Sequence, residues 1–296
     1  MRIFVTGASG WIGSPTVERL LGAGHEVHGL ARSDAAAAAI PAGATVVRGT
    51  LEDLDRLRAE ASRSDGVVHL GFRHDIAFSG DFQGAVDTDR LVIDAFGEAL
   101  KGSDRPLVIA SGTLGLAPGR VGTEHDLPDP TAHPRIANAH ATLELAKDGV
   151  RSVVIRYAPT VHGEGDHGFV ATLVQIARET GVSGYLGDGT NRWPAVHRFD
   201  AADLTKLAVE QAPAGSVLHA TAETGVTTRQ IAEAIGRQLN VPVEPIDDPA
   251  HFRFLGGFFG MDAPASSDLT RELLGWNPTG PGLLEDLDAG RYTRSS

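Results

Sequence analysis

Three glycines spaced three apart, directly behind an apolar run, constrain this chain more than any other feature. Ile3-Phe4-Val5 reads as a strand, and Thr6-Gly7-Ala8-Ser9-Gly10-Trp11-Ile12-Gly13 follows without a gap. A helical pattern begins at once behind the third glycine. Gly7 permits the tight turn out of the strand. Gly10 has no Cβ, so a phosphate can approach the backbone, and Gly13 lets the new helix pack close to its strand. The amides and the positive end of that helix then face the anion. The motif predicts a dinucleotide site built on Gly7 and Gly10.

Strand patterns at 3–6, 26–31, 45–48, 66–70, 107–111 and 152–157 alternate with helical ones. Their apolar runs show little polar alternation, as strands buried on both faces do. Leu91, Val92, Ala95, Phe96 and Ala99 mark one helical face. The expected fold class is α/β, a doubly wound parallel sheet with a small C-terminal α/β lobe. Residues 1–163 read as mainly the dinucleotide-binding domain. Residues 164–296 read as mainly the substrate lobe, with segments returning to the sheet. Helices are predicted near 169–179 and 201–211, and Ile231, Ile235 and Leu239 form a further stripe.

The chain has 296 residues, a net charge of −12 and no cysteine. The acidic balance argues against nucleic acid as partner, and thiolate chemistry is excluded. No apolar run reaches membrane-spanning length, and no signal peptide fits ahead of the first strand. These features predict a cytoplasmic protein with a small-molecule partner and no membrane contact, either monomer or homodimer. No tight metal-ligand spacing such as HExxH is present, so no metal site is expected.

The end of the second strand discriminates between cofactors. An NAD site usually places an acid there for the ribose hydroxyls. This chain reads Ala31-Arg32-Ser33 instead. A guanidinium and a hydroxyl suit a 2′-phosphate, which favours NADP over NAD.

Five motifs in order resemble the short-chain dehydrogenase/reductase superfamily, in its extended or atypical branch, the NAD-dependent epimerase/dehydratase-like group. They are Thr6–Gly13, Asp65-Gly-Val-Val-His-Leu-Gly71, Val154-Ile-Arg-Tyr-Ala-Pro-Thr-Val-His-Gly163, Gly187-Asp-Gly189 with Val196-His-Arg-Phe-Asp200, and Leu273-Leu-Gly-Trp-Asn-Pro278. The resemblance implies that the backbone of Ser9, Gly10, Trp11 and Ile12 holds the diphosphate, that Thr50 and Leu51 lie beside adenine and that Leu70, Gly71 and Phe72 line the ribose. It places Tyr157, Ala158 and Pro159 at the nicotinamide, Tyr157 counting among the catalytic candidates. Thr113 takes the position of the catalytic Ser/Thr, and Ser111 stands near the cofactor.

The family's usual acid, a Tyr with a Lys four residues on, is absent. Arg135 stands near the Tyr position and Ala139 near the Lys position. An arginine stays protonated, so it polarises a carbonyl without donating a proton in turnover. The leading expectation is an NADP-dependent oxidoreductase that moves a hydride between nicotinamide and a small, mainly apolar carbonyl or alcohol, with a non-standard proton donor. A non-catalytic NADP(H)-binding regulator is the alternative, and a sugar-nucleotide epimerase or dehydratase a weaker one. His162, His167 and His197 are further polar candidates. Phe252, Phe254, Phe258 and Phe259 read as a core edge or, alternatively, as a flap over the site.

Overall fold

A computed structural model describes residues 1–77 and 79–293 of the chain. The first half of the chain supplies β1 (Arg2–Thr6), α1 (Gly13–Gly22), β2 (Glu26–Ala31), α2 (Asp34–Ala38), β3 (Thr45–Arg48) and α3 (Leu54–Ser62). It continues with β4 (Gly66–His69), α4 (His74–Ala77), α5 (Phe82–Leu100), β5 (Pro106–Gly112), α6 (Pro134–Glu144) and β6 (Arg151–Tyr157). The second half supplies β7 (Thr160–His162), α7 (Phe169–Thr180), β8 (Ser183–Leu186), β9 (Arg192–His197), α8 (Arg198–Gln211) and β10 (Ser216–Ala220). Last come β11 (Glu223–Thr227), α9 (Thr228–Leu239), β12 (Val243–Ile246), α10 (Asp268–Leu274) and α11 (Leu283–Asp288).

The main sheet runs β3-β2-β1-β4-β5-β6-β10, with its strands parallel throughout. This is the strand order of a doubly wound dinucleotide-binding sheet, extended by a seventh strand. Ile3, Phe4, Val5, Val67, Val68, Val153 and Val154 have no exposed surface, which is why these strands lack polar alternation. One face carries α1 and α8, whose Val17, Leu20, Leu204 and Ala208 close a core over Ile3 and Val5. The other carries α3, α5 and α6, where Phe96 meets Phe4 edge-on at 6.0 Å.

The chain does not divide cleanly at its midpoint. α8 and β10 lie in the second half yet belong to the core of the main sheet, and so does Trp276. The remaining lobe has a three-stranded sheet, β11-β9-β7, and a two-stranded one, β12-β8. Its core gathers Val170, Trp193, Ile231, Phe252 and Phe259. α9 is specified locally: Thr227 and Gln230 form a capping box, and Asn240 ends the helix in the left-handed conformation.

Candidate functional site

The carboxyl ends of β1, β2 and β4 converge on the glycine turn. Gly7 has φ +68°, and a Cβ there would stand 2.7 Å from the Leu70 carbonyl carbon. A Cβ on Gly13 would stand 1.9 Å from the Gly7 oxygen. Only glycine fits either position. The amides of Trp11 and Ile12 meet no acceptor among the described residues. α2, α5, α6 and α9 all have a side-chain cap, whereas α1 has none and no acid in its first turn. An uncapped helix start with unpaired amides behind a close-packed turn is a cradle for a diphosphate. The residues present fit a dinucleotide.

A cleft of about 310 Å³ opens beside this turn, lined by Gly7, Ser9, Arg32, Thr50, Leu51, Gly71, Phe72 and Arg73 among others. The site residues inferred for the adenosine end are therefore gathered in one place. Leu70 contributes its backbone, packed on Gly7. Ser33 accepts the Ala36 amide at 3.1 Å and so caps α2.

One expectation for this end needs correction. β2 brings no carboxylate to the rim, but α4 does. Asp75 accepts from Arg32 at 3.1 Å and from Arg73 at 2.9 and 3.1 Å, and Arg73 also pairs with Glu52. Arg73 and then Arg32 hold the Asp75 carboxyl well below the usual carboxylate range. The rim thus carries two guanidinia and two carboxylates, where the β2 sequence alone implied an unopposed cation. Arg73, Asp75 and Glu52 were not singled out from the sequence. They reach the rim only through the fold, and Arg73 follows the His69-Leu70-Gly71 motif too irregularly to advertise a role.

Further along the carboxyl edge of the sheet, Thr113 follows β5 and Tyr157 ends β6. Thr113 is 1 % exposed, and its Oγ1 has no hydrogen-bond partner. Its amide donates to the Tyr157 carbonyl at 3.2 Å. Ser111 is half-buried on the same strand. The Tyr157 side chain turns away: its hydroxyl hydrogen-bonds Thr205 of α8 at 2.7 Å inside the core. Burial pushes that phenol above its ordinary pKa. Tyr157 is therefore corrected from a catalytic candidate to a core residue whose backbone alone reaches this region. Ala158 donates its amide to the Ala220 carbonyl at 3.2 Å, and Pro159 follows, half-buried.

Arg135, in the first turn of α6, stacks its guanidinium on the Phe72 ring at 4.6 Å and donates to the Ala110 carbonyl at 3.3 Å. One turn on, Ala139 is buried. Between them Asn138 donates to Asp89 at 2.7 Å, Asp89 faces His69 at 3.2 Å, and His69 meets Thr6 at 2.6 Å. Thr6 in turn accepts the Gly71 amide at 3.1 Å. This buried chain of polar groups ties α6 to the glycine turn through the region where a Lys would otherwise stand.

The Trp11 ring crosses to the smaller lobe. Its indole donates to the Val161 carbonyl at 2.7 Å, Arg198 lies 3.9 Å over it, and His167 meets its edge at 5.5 Å. The loop after β7 is held from behind: Tyr292 accepts the Gly163 amide and donates to Asp166 at 3.0 Å. His162 is not at the cleft surface; it is fully buried 2.6 Å from Asp286. Phe252 and Phe259 are core residues, Phe258 is half-buried and Phe254 exposed. The core-edge reading of that cluster prevails over the flap. Among the described residues no helix is long and apolar enough to cross a membrane, and no group of three or more His, Cys, Asp or Glu side chains is placed to hold a metal.

Comparison with known proteins agrees with this architecture. Residues 3–220 match the model of the NAD dependent epimerase/dehydratase family. An uncharacterized protein of Schizosaccharomyces pombe is 48 % identical over 99 % of this chain and 100 % of its own length. A UDP-glucose 4-epimerase of Streptomyces lividans is 28 % identical over 99 % of this chain and 96 % of its own. Among solved structures, a UDP-glucose 4-epimerase of Thermotoga maritima with UDP-glucose superposes with a TM-score of 0.79 at 20 % identity, covering 98 % of this chain and 97 % of the other. The chain belongs to the NAD dependent epimerase/dehydratase family.

Proposed function

We propose that this protein is an NADP-dependent oxidoreductase that reduces or oxidises a small carbonyl or alcohol substrate. The observation that carries the reading is the buried Thr113 hydroxyl without a partner, directly behind the carboxyl end of β5. A buried hydroxyl left unpaired costs about 1–3 kcal/mol, and a substrate oxygen removes that cost. The nicotinamide supplies or accepts the hydride when bound. Thr113 holds the substrate oxygen, and Arg135 adds positive field near it. Neither transfers a proton in turnover, so the proton comes from water or from another residue. Lost proton transfer sacrifices about 10²–10⁴-fold in rate, whereas positioning the reactants is worth about 7–11 kcal/mol. Hydride transfer survives such a loss. Arg32 and Arg73, already poised at the rim, support NADP.

A second reading, sugar-nucleotide epimerisation, is favoured by the UDP-glucose 4-epimerase relatives. Two features weigh against it. The phenol and lysine are missing from α6. In the lobe, the open pocket at Gly187, Asp188 and Asn191 has one arginine, Arg192, and Asp262 neutralises it at 2.8 and 3.0 Å.

The test is turnover of NADPH with a panel of aldehydes, ketones and enones, followed by nicotinamide absorbance. Thr113→Val lowers kcat by about 100-fold while leaving the NADPH Kd unchanged. Absence of turnover across the panel, or an unaffected Thr113→Val enzyme, overturns the proposal.

A further inference from the structure

Most arginines of this protein are answered by carboxylates, and Arg105 saturates the carbonyls of Ala61, Ser62, Ser64 and Ala99. Among the described residues Arg135, like Arg198 over Trp11, has neither kind of partner set. Its five donors find one acceptor among the described residues, the Ala110 carbonyl at 3.3 Å. It makes no ion pair there, although it is half-buried with its guanidinium carbon 4.6 Å from the Phe72 ring centroid. The nearest acid in electrostatic reach is Asp89, which is already committed to His69 and Asn138.

Among the described residues its surroundings offer no free carboxylate. His133 caps α6 beside it, and His74 lies within its field, with His167 facing His74 in turn. Asp75, the one acid acting on His74, is held by Arg73 and Arg32. His74 and His133 are held below the ordinary histidine pKa, so the Arg135 guanidinium is the cation of this corner, set where Phe72 forms one wall of the cleft. A partly desolvated guanidinium without an anion is costly, and a planar fork meets a carboxylate or phosphate through two parallel hydrogen bonds.

We infer that the second reactant carries an oxyanion, a carboxylate or a phosphate, which pairs with the Arg135 guanidinium while its carbonyl or alcohol oxygen sits at Thr113. This rests on the oxidoreductase reading and names its substrate class. It replaces the mainly apolar substrate expected from the sequence.

The experiment compares matched pairs with the NADPH-saturated protein: benzaldehyde against 4-carboxybenzaldehyde, and glyceraldehyde against its 3-phosphate. The charged member of at least one pair has a kcat/KM about 10- to 100-fold higher, and which pair shows it separates carboxylate from phosphate. Arg135→Gln abolishes that preference and leaves the NADPH Kd unchanged. Arg135→Lys restores part of it, since a point charge remains without the fork. Equal kcat/KM within both pairs, or a preference that survives Arg135→Gln, overturns the inference while the oxidoreductase reading stands. A loss of NADPH affinity in Arg135→Gln also overturns it, because the cation would then serve the cofactor. If nothing in the panel turns over, benzoate and inorganic phosphate decide by thermal shift. Stabilisation of the parent but not of Arg135→Gln upholds the anion site without the chemistry, and no stabilisation by either overturns it.

Discussion

The two ends of the cleft treat their arginines in opposite ways. At the adenosine end Arg32 and Arg73 share Asp75, and Arg73 also pairs with Glu52. At the other end Arg135 has an aromatic ring and one long hydrogen bond. The first arrangement is stable while it waits, because a ligand phosphate would exchange one anion for another. The second stores an unmet demand for negative charge. The difference teaches that a cation's presence in a cleft says little by itself; what decides is whether the fold has already satisfied it.

The most severe way to break the adenosine end is Gly13→Ala. The added Cβ meets backbone rather than a movable side chain, so the turn and helix must part. NADPH binding is lost, and chemical denaturation shows a stability loss of about 3 kcal/mol or more. A variant that binds NADPH within a few-fold of the parent contradicts the cradle. Arg32→Ala sharpens the same comparison less drastically. It weakens NADPH by about 10- to 100-fold and leaves NADH nearly unchanged, as fluorescence titration would show. Tighter binding of NADH than NADPH by the parent protein rules out the cofactor preference.

Tyr157→Phe is expected to cost about 1 kcal/mol of stability, the worth of one buried hydrogen bond. Thr205 keeps its bond to the Ala201 carbonyl at 2.8 Å, so no orphan is left. Turnover stays at the parent value; a large fall in kcat would return Tyr157 to the chemistry. The smallest effect is in pH dependence at the Arg135 end. Burial, and then the Arg135 charge, hold His74 and His133 below the ordinary histidine pKa. A histidine depressed in the folded state binds its proton more readily when unfolded. The contribution is therefore fully present above the unfolded pKa of about 6.5 and is lost as pH falls through and below it. Arg135→Gln raises both pKa values and flattens that acid loss. Imidazole NMR titrations that do not move would show Arg135 lies too far away to matter.

Much of the main sheet was legible because its signals are local. The bounds of β2 and β3 follow directly from apolar runs between turn residues, and the glycine turn announces itself within eight positions. The lobe was harder: β7 has three residues, too few for any periodicity to register. At the site, Thr113 and Arg135 were singled out through the family resemblance alone, by the positions they take in its motif order. The Asp75 pairing was not, because it joins residues 43 apart through side chains alone. The direction of Tyr157 was likewise hidden. Arg156 turns to His219 and Tyr157 to Thr205, a choice of sheet face that a uniformly apolar strand does not encode.

The bolt between Trp11 and Val161 has a kinetic consequence. Its amide faces the diphosphate cradle while its indole is pinned across the seam at 2.7 Å. Any settling of the phosphate loop as a nucleotide docks would pass along this bond to β7 of the smaller lobe. On the oxidoreductase reading this linkage predicts ordered sequential kinetics, with the nucleotide arriving first and leaving last.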